Sequence, residues 1–443
     1  MALRGDSMRE PQQISLRAAR GRIAASHKTD FHSRKMVGRS PRKRRRIFAF
    51  VTSDRRQPRS LLYSIAAGIG GSGLDQVAAE SLRAALDGNF LGRAISYDCD
   101  PRIENRKSKI ENLTRHPVKL LSFLDREHYM GAKKHALDRR AARQLASGRY
   151  DLLHTWSGDC VESLRVAERL GIPSVLEIPT WHRNKGKVKK DKTWSEIQRD
   201  TAPFPRSLLN RLLVTRQQVM EEYARATLIL VLSEKARETF LVAGVPEKKL
   251  FLTSRGVDVE KFTPAPASPE KFRAIFVGSL IRRKGVHVLL EAWKKLALAD
   301  AELVLVGASS KEITTLLADA PANVIVRGFV RDVAVELRQA AVHIFPSECE
   351  GSAKATYEAA ACGLPQITTR ESGDVVQDGV NGLIVPPNDT DALATAIERL
   401  YCDRDLAARM GEAGRRRVVE NFTWDHFRAR LLDAYDVALR AVS

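Results

Sequence analysis

From about residue 60 the chain alternates short apolar, β-branched runs with amphipathic stretches. SLLYSIAAG (60–68) reads as a strand, and a Gly-rich turn leads from it into an amphipathic helix near 74–86. A strand follows near 91–98, and DLLHTW (151–156), SVLEIPT (174–180) and TLILVLS (227–233) read as further strands with helices between them. Segment 258–270 (DVEKFTPAPASPE) carries three prolines, which cannot continue a helix or a central strand, so it ends this unit. The pattern then restarts with RAIFVGSL (273–280), ELVLVGA (302–308), VIVRGF (324–329), VHIFPS (342–347) and PQITT (365–369). Continuous apolar strands separated by helices predict parallel sheets covered on both faces. The expected architecture is α/β, with two doubly wound domains joined near 255–270 and ligands bound in the cleft between them, at the carboxyl ends of the strands. A last helix, from about Thr423 to Val442, has no strand after it and is expected to pack back on the first domain. The divisions are a basic tail at 1–46, a first domain at 47–257, a linker at 258–270, a second domain at 271–422 and the returning helix at 423–443.

Composition adds a class. With 443 residues, 44% of them apolar, the chain is long enough for two to three domains and too apolar for wholesale disorder. No run of 18 apolar residues is present, and no apolar stretch follows the basic N-terminus as a secretory signal requires. Cys99, Cys160, Cys349, Cys362 and Cys402 are scattered, without zinc-ligand spacing, which fits a reducing cytoplasm.

A net charge of +20 suggests nucleic acid or an anionic membrane until it is divided. Residues 271–443 hold 22 basic against 23 acidic residues, so the excess lies in the first half. It is concentrated in residues 1–46 (14 basic, 3 acidic), 101–149 (13 basic, 5 acidic) and Arg183 to Lys192 (6 basic, 1 acidic). The clusters at 42–46 and 185–192 contain no aromatic residue, whereas single-strand nucleic-acid surfaces interleave cations with stacking rings. Nucleic acid is therefore the remote reading. An anionic membrane face, or an acceptor carrying phosphate, is the better one, with solvated loops as the plain alternative.

Candidate chemistry concentrates at 346–369, PSECEGSAKATYEAAACGLPQITT. Glu350 and Glu358 are eight residues apart, just over two helical turns, so a helix starting near Ala353 stacks one beneath the loop that holds the other. Small residues between them (Gly351, Ser352, Ala353) let backbone N–H groups and a helix N-terminus approach an anion. Carboxylates accepting hydroxyls on either side of a phosphate describe a nucleotide sugar. Arg283 and Lys284, in RRKG, are fixed cations suited to the charge that develops on a nucleoside diphosphate leaving group. No Asp-x-Asp pair is placed to hold a metal; YDCD (97–100) lies early and reads as a strand end. The glycines at 68, 70, 71 and 73 form a strand-to-helix loop that either approaches a phosphate or simply turns tightly.

EGSAKATYEAAACGLPQITT, followed by GDVVQDGVNGLIVPPND (373–389), resembles the donor-binding core of retaining GT-B glycosyltransferases of family 4. RGVDVEKFTP (255–264) resembles that family's interdomain segment, and VGSLIRRKGVHVLLEAW (277–293) its first strand, loop and helix of the second domain. The resemblance runs from about 227 to 425. It implies that Glu350 binds hydroxyls of the donor sugar and Glu358 those of the ribose. Lys284 then binds the pyrophosphate, with Arg283 as its partner and Arg282 in reserve; Ser279 stands where many members carry the Arg. Gly351, Ser352 and Ala353 complete the donor loop, EGSA here where the family has EGFG. Gly71 implies a pyrophosphate contact from the first domain, and His182, after SVLEIPT, a catalytic contact near sugar and acceptor. His154 is a lesser strand-end candidate of the same kind, and Glu177 is expected to be buried and paired.

The implied activity is a metal-independent, retaining hexosyl transfer from a UDP- or GDP-sugar to a glycan or lipid-linked acceptor. The nucleotide sugar is a substrate, and no cofactor is implied. Such a step belongs to cell-surface polysaccharide or glycolipid assembly, in the cytoplasm or at the inner membrane face. A nucleotide-sugar 2-epimerase on the same fold is the alternative.

Overall fold

The computed structural model describes residues 56, 58–71, 73–100, 103, 109–113, 116–183, 203–267 and 269–442. The tail at 1–46, and all of the basic stretch 183–192 except Arg183, lie outside them.

Among the described residues, fifteen strands follow in chain order. β1 (Leu61–Ser64), β2 (Gly68–Ile69), β3 (Leu91–Ser96), β4 (Asp98–Cys99) and β5 (Ile110–Asn112) come first. β6 (Leu152–Trp156), β7 (Ser174–Glu177), β8 (Leu228–Val231) and β9 (Leu250–Leu252) complete the first half. β10 (Phe272–Val277), β11 (Ala301–Val306), β12 (Val324–Gly328), β13 (Val342–Phe345), β14 (Gln366–Thr368) and β15 (Gly382–Ile384) make the second. Every pairing in the two large sheets is parallel, and β1, β6, β7, β8, β13 and β14 are buried at every position. Helices on both faces account for that burial and for runs that read as continuously apolar.

The first sheet runs β5-β3-β1-β6-β7-β8-β9 and the second β12-β11-β10-β13-β14-β15. Each strand order reverses beside its first strand, at β1 with β6 and at β10 with β13. Helices leave such a neighbouring pair toward opposite faces, which opens a crevice at their carboxyl ends. Each sheet therefore carries one preformed crevice.

The segments expected as strands and the helix near 74–86 are present. Strand 91–98 divides at Tyr97, because Asp98–Cys99 leaves the sheet to pair with Gly68–Ile69 in a separate ribbon. The last helix, Trp424–Arg440, starts at Thr423, whose side chain caps it. Its Phe427, Leu431, Ala434, Tyr435 and Ala438 are buried with Leu61, Tyr63, Leu82 and Leu228 of the first half, so the helix does return to that core. The second half has its own cluster around Phe276, Trp293, Ile344 and Tyr357. No helix among the described residues is long and apolar enough to cross a membrane.

Candidate functional site

The crevice of the second sheet opens into a cavity of about 300 Å³. Its floor is Val277, Gly278 and Phe345, the ends of β10 and β13. Lys284, Glu350 and Glu358 line it, with Ser352, Ala353, Lys354 and Ala355. Gly73, Leu74 and Arg255 come to it from the first half of the chain.

Lys284 ends a single 3-10 turn, Arg282–Lys284. Gly285 follows at φ 73°, where a Cβ would stand 2.0 Å from the Pro346 carbonyl oxygen, so both conformation and closeness require glycine. The Arg283 carbonyl accepts from the Glu348 N–H at 2.9 Å and the Ser347 hydroxyl at 3.2 Å, which pins this turn to the end of β13. The Lys284 ammonium thereby sits 3.6 Å from Glu350 Oε1 and 5.3 Å from the centre of the Phe345 ring. Arg283 donates to the Cys349 carbonyl and places Nη1 3.3 Å from the same Glu350 oxygen, from a more exposed position (43% against 19% for Lys284). Arg282 pairs instead with Glu312 at 2.6 Å, among exposed side chains.

The acidic loop is held through its backbone. Glu350 N–H donates to the Glu371 carbonyl and Ala353 N–H to that of Ser372. A Cβ on Gly351 would lie 2.5 Å from the Pro179 carbonyl oxygen, and Ser233 Oγ donates to the Gly351 carbonyl at 2.7 Å. The loop is thus pressed against the segment after β7, and only glycine fits the contact. The helix Lys354–Ala361 begins at Ala353 with no side-chain cap, so its first N–H groups open toward the cavity. Glu358 is buried, and burial raises its pKa against the pull of Lys354, whose ammonium lies 2.9 Å away.

Ser352 turns its hydroxyl away from solvent to share a 2.7 Å hydrogen bond with the Tyr357 hydroxyl. A Cβ on Gly373 would stand 2.8 Å from that hydroxyl oxygen, so there is little space here for a larger side chain. The Ser352 carbonyl accepts from Arg255 Nε at 2.7 Å. Arg255 was not among the residues expected at the site. Burial lowers its pKa, opposed by Tyr357, Glu177, Glu350 and Glu358. Its one sequence signal is its position at the head of RGVDVEKFTP.

Two expected residues are placed elsewhere. The Gly-rich loop reaches the cavity through Gly73 and Leu74, whereas Gly71 faces the Asp75 side of the loop, beside Gly70 and Asp100. His182 is buried with its ring 5.0 Å from that of Tyr223 and 4.9 Å from that of Phe240, in the first-half core, and does not line the cavity. Burial lowers its pKa to about 4, so the ring is neutral near pH 7. His154 is likewise interior: it shares a 2.8 Å hydrogen bond with the Tyr435 hydroxyl, and its Nε2 lies 3.2 Å from buried Glu177.

Family models match both halves of the chain: Glycosyltransferase Family 4 over residues 94–261 and Glycosyl transferases group 1 over 271–403. A D-inositol 3-phosphate glycosyltransferase of Pseudarthrobacter chlorophenolicus is 29% identical over 322 residues, 67% of this chain and 73% of that one. A GDP-mannose-dependent alpha-(1-6)-phosphatidylinositol monomannoside mannosyltransferase of Mycolicibacterium smegmatis is 28% identical, over 47% of this chain and 62% of its own. In three dimensions the fold is similar to Anabaena HepE in complex with UDP-glucose, at a TM-score of 0.59 and 16% identity, over 84% of this chain and 98% of that one. Two doubly wound sheets with a cavity at the second sheet's crevice, matched in order by these two models, make the chain a member of the GT-B glycosyltransferases of the family 4 type.

Proposed function

We propose that the protein transfers a hexosyl group, with retention, from a UDP- or GDP-sugar to a hydroxyl of a glycan or lipid-linked acceptor in cell-surface polysaccharide or glycolipid assembly. One observation carries this reading: a cationic side chain, an uncapped helix N-terminus and two carboxylates line one cavity at the switch point of the second sheet.

Lys284 and the helix N-terminus suit a diphosphate, with Arg283 at the rim. Their fixed charge stabilises the negative charge that grows as the glycosidic C–O bond breaks, without a bound metal. Glu350, beside them, accepts sugar hydroxyls once the diphosphate takes over the cations. Glu358 accepts ribose hydroxyls. The acceptor hydroxyl attacks from the leaving-group side, and its proton passes to the departing phosphate oxygen. The acceptor enters through the crevice between β1 and β6. The two named relatives, whose acceptors are an inositol phosphate and a phosphatidylinositol mannoside by their names, support a polar or lipid-linked acceptor.

A thermal-shift panel of UDP-, GDP- and ADP-sugars tests the donor, since a ligand of the folded state raises apparent stability by mass action. One nucleotide class is expected to raise the melting temperature, and transfer from that donor is expected to give a product with the donor's anomeric configuration. Absence of any shift, or isomerised donor without transfer, overturns the reading.

A further inference from the structure

Arg255 is the one cation lining the second-sheet cavity to which no expected role attaches. It stands between β9 and β10, on the chain that crosses from the first sheet to the second, and is partly buried. Its Nε donates to the Ser352 carbonyl at 2.7 Å. The N–H of that same peptide, carried by Ala353, donates to the Ser372 carbonyl at 2.8 Å. The peptide before the helix Lys354–Ala361 is therefore held at both ends, and Arg255 helps to fix where the uncapped helix start points.

A guanidinium carries five N–H donors in a planar fork. One of them is spent on Ser352. Among the described residues, the four donors on the two Nη atoms have no hydrogen-bond acceptor, and no carboxylate pairs with them. Glu177, Glu350 and Glu358 are near enough to favour the charge, which burial opposes. A cation drawn out of water and left unpaired costs free energy until an anion meets it. The cavity that Arg255 lines is the one that Lys284 lines.

Arg283 is the rival for a second cation. It does not line this cavity, its side chain is 43% exposed, and its Nη1 is turned to the Cys349 carbonyl and to Glu350. Water and salt screen a charge at that exposure more than one inside the cavity.

We propose that Arg255 binds the diphosphate of the nucleotide sugar as the second cation of the donor site beside Lys284, its Nη groups on phosphate oxygens while Nε keeps the donor loop in place. A planar fork meets phosphate oxygens two N–H groups at a time, which an ammonium does not. The site is then assembled from three parts of the chain: the glycine loop through Gly73, the crossing chain through Arg255 and the second sheet through Lys284. A diphosphate held this way ties the crossing chain to the second sheet. The assignment rests on the proposed function for the identity of the anion.

The test titrates UDP, GDP and ADP, with their parent nucleosides as competitors, into the full chain and into R255M, R255K and R283M. R255M is expected to bind the diphosphate that wild type selects about 10- to 100-fold more weakly, and the nucleoside within about twofold of wild type, as for lost hydrogen bonds to a charged group. R255K, which keeps the charge and loses the fork, should fall between R255M and wild type. Melting temperature without ligand reports separately on folding: a merely structural Arg255 would lower it and weaken nucleoside and diphosphate alike. Where R255M does not fold, R255K carries the same comparison. Equal diphosphate affinity in the Arg255 variants and wild type, a loss that the nucleoside shares in full, or a larger loss in R283M than in R255M overturns the proposal. If wild type binds none of the three diphosphates, the proposed function falls with it. If wild type binds one and R255M binds it equally well, only the assignment of Arg255 falls.

Discussion

Lys284 and Arg283 converge on one oxygen of Glu350, at 3.6 and 3.3 Å. A carboxylate so placed competes with a diphosphate for the same cations. Two substitutions therefore have separable effects. Lys284→Ala should lower kcat about 10²- to 10³-fold, the range for removing one fixed donor at a developing anion. Glu350→Ala should abolish comparable activity while leaving affinity for the bare nucleoside diphosphate unchanged or tighter, because the cations lose their competitor. Calorimetric titration with UDP or GDP beside donor turnover checks the pair; equal weakening of diphosphate and donor by Glu350→Ala would refute the competition. Glu350 and Glu358 were legible because their eight-residue spacing sets them on one loop and the helix after it, and Lys284 through the resemblance of VGSLIRRKGVHVLLEAW to the family. Arg255 was not: it stands just before the linker with no spacing that relates it to the donor loop, and only the fold shows that its guanidinium reaches the Ser352 carbonyl. Gly71 was preferred over Gly73 because the sequence gives no indication of which glycine of a loop faces across a cleft.

Elements in the first half are fastened to one another by buried acids. Asp138, on the helix Arg126–Leu145, accepts from the N–H groups of Glu162 and Ser163 at 2.7 Å each, and so caps a neighbouring helix from outside. Glu222 accepts from Gly158 and Cys160, and Asp159 from Ala66, across the crevice between β1 and β6. Burial raises the pKa of Asp138 and Glu222 to about 7 and of Asp159 to about 6. In the unfolded chain such groups titrate near about 4. Between these values the folded state holds more protons, so stability is fullest below about pH 4 for these groups and falls as pH rises through about 7. The melting temperature should therefore decline from pH 5 to pH 8. Asp138→Asn, which keeps an accepting oxygen, should make the decline shallower; an unchanged slope would count against Asp138. No spacing rule connects residue 138 to residue 162, so this cap was invisible in the sequence. The strands were visible because each run was long and apolar. β5, β9 and β15 were missed because three residues show neither alternation nor a run, and β9 and β15 lie beside turn residues.

At the scale of the whole molecule, the two sheets repeat one order, and the chain crosses between them twice, through 253–271 and again before Trp424. Both crossings meet at Gly256, where a Cβ would lie 2.4 Å from the Trp424 ring, and where Val257 N–H donates to the Phe422 carbonyl at 2.9 Å. The returning helix is part of the first-half core. Leu431→Ala removes a side chain that is 1% exposed, and should cost about 2–5 kcal/mol of unfolding free energy in denaturant titration. A cost under about 0.5 kcal/mol would mean that the helix is only laid on the surface. The net charge changes meaning at this scale too: the second half, with its cavity, is nearly neutral, and the basic excess lies in the first half.

That returning helix also sets an order of assembly during synthesis. Tyr63, near the start of the first sheet, is buried in one cluster with Tyr435, and Leu82 with Leu431. A ribosome delivers the second half, with its self-sufficient cluster, before it delivers residues 427–438. The domain translated first is therefore the domain completed last. A nascent chain stalled before Trp424 would expose the apolar face of the helix Leu74–Asp87 that Phe427 and Leu431 otherwise cover, and that stage of elongation is where a chaperone would find the most to hold.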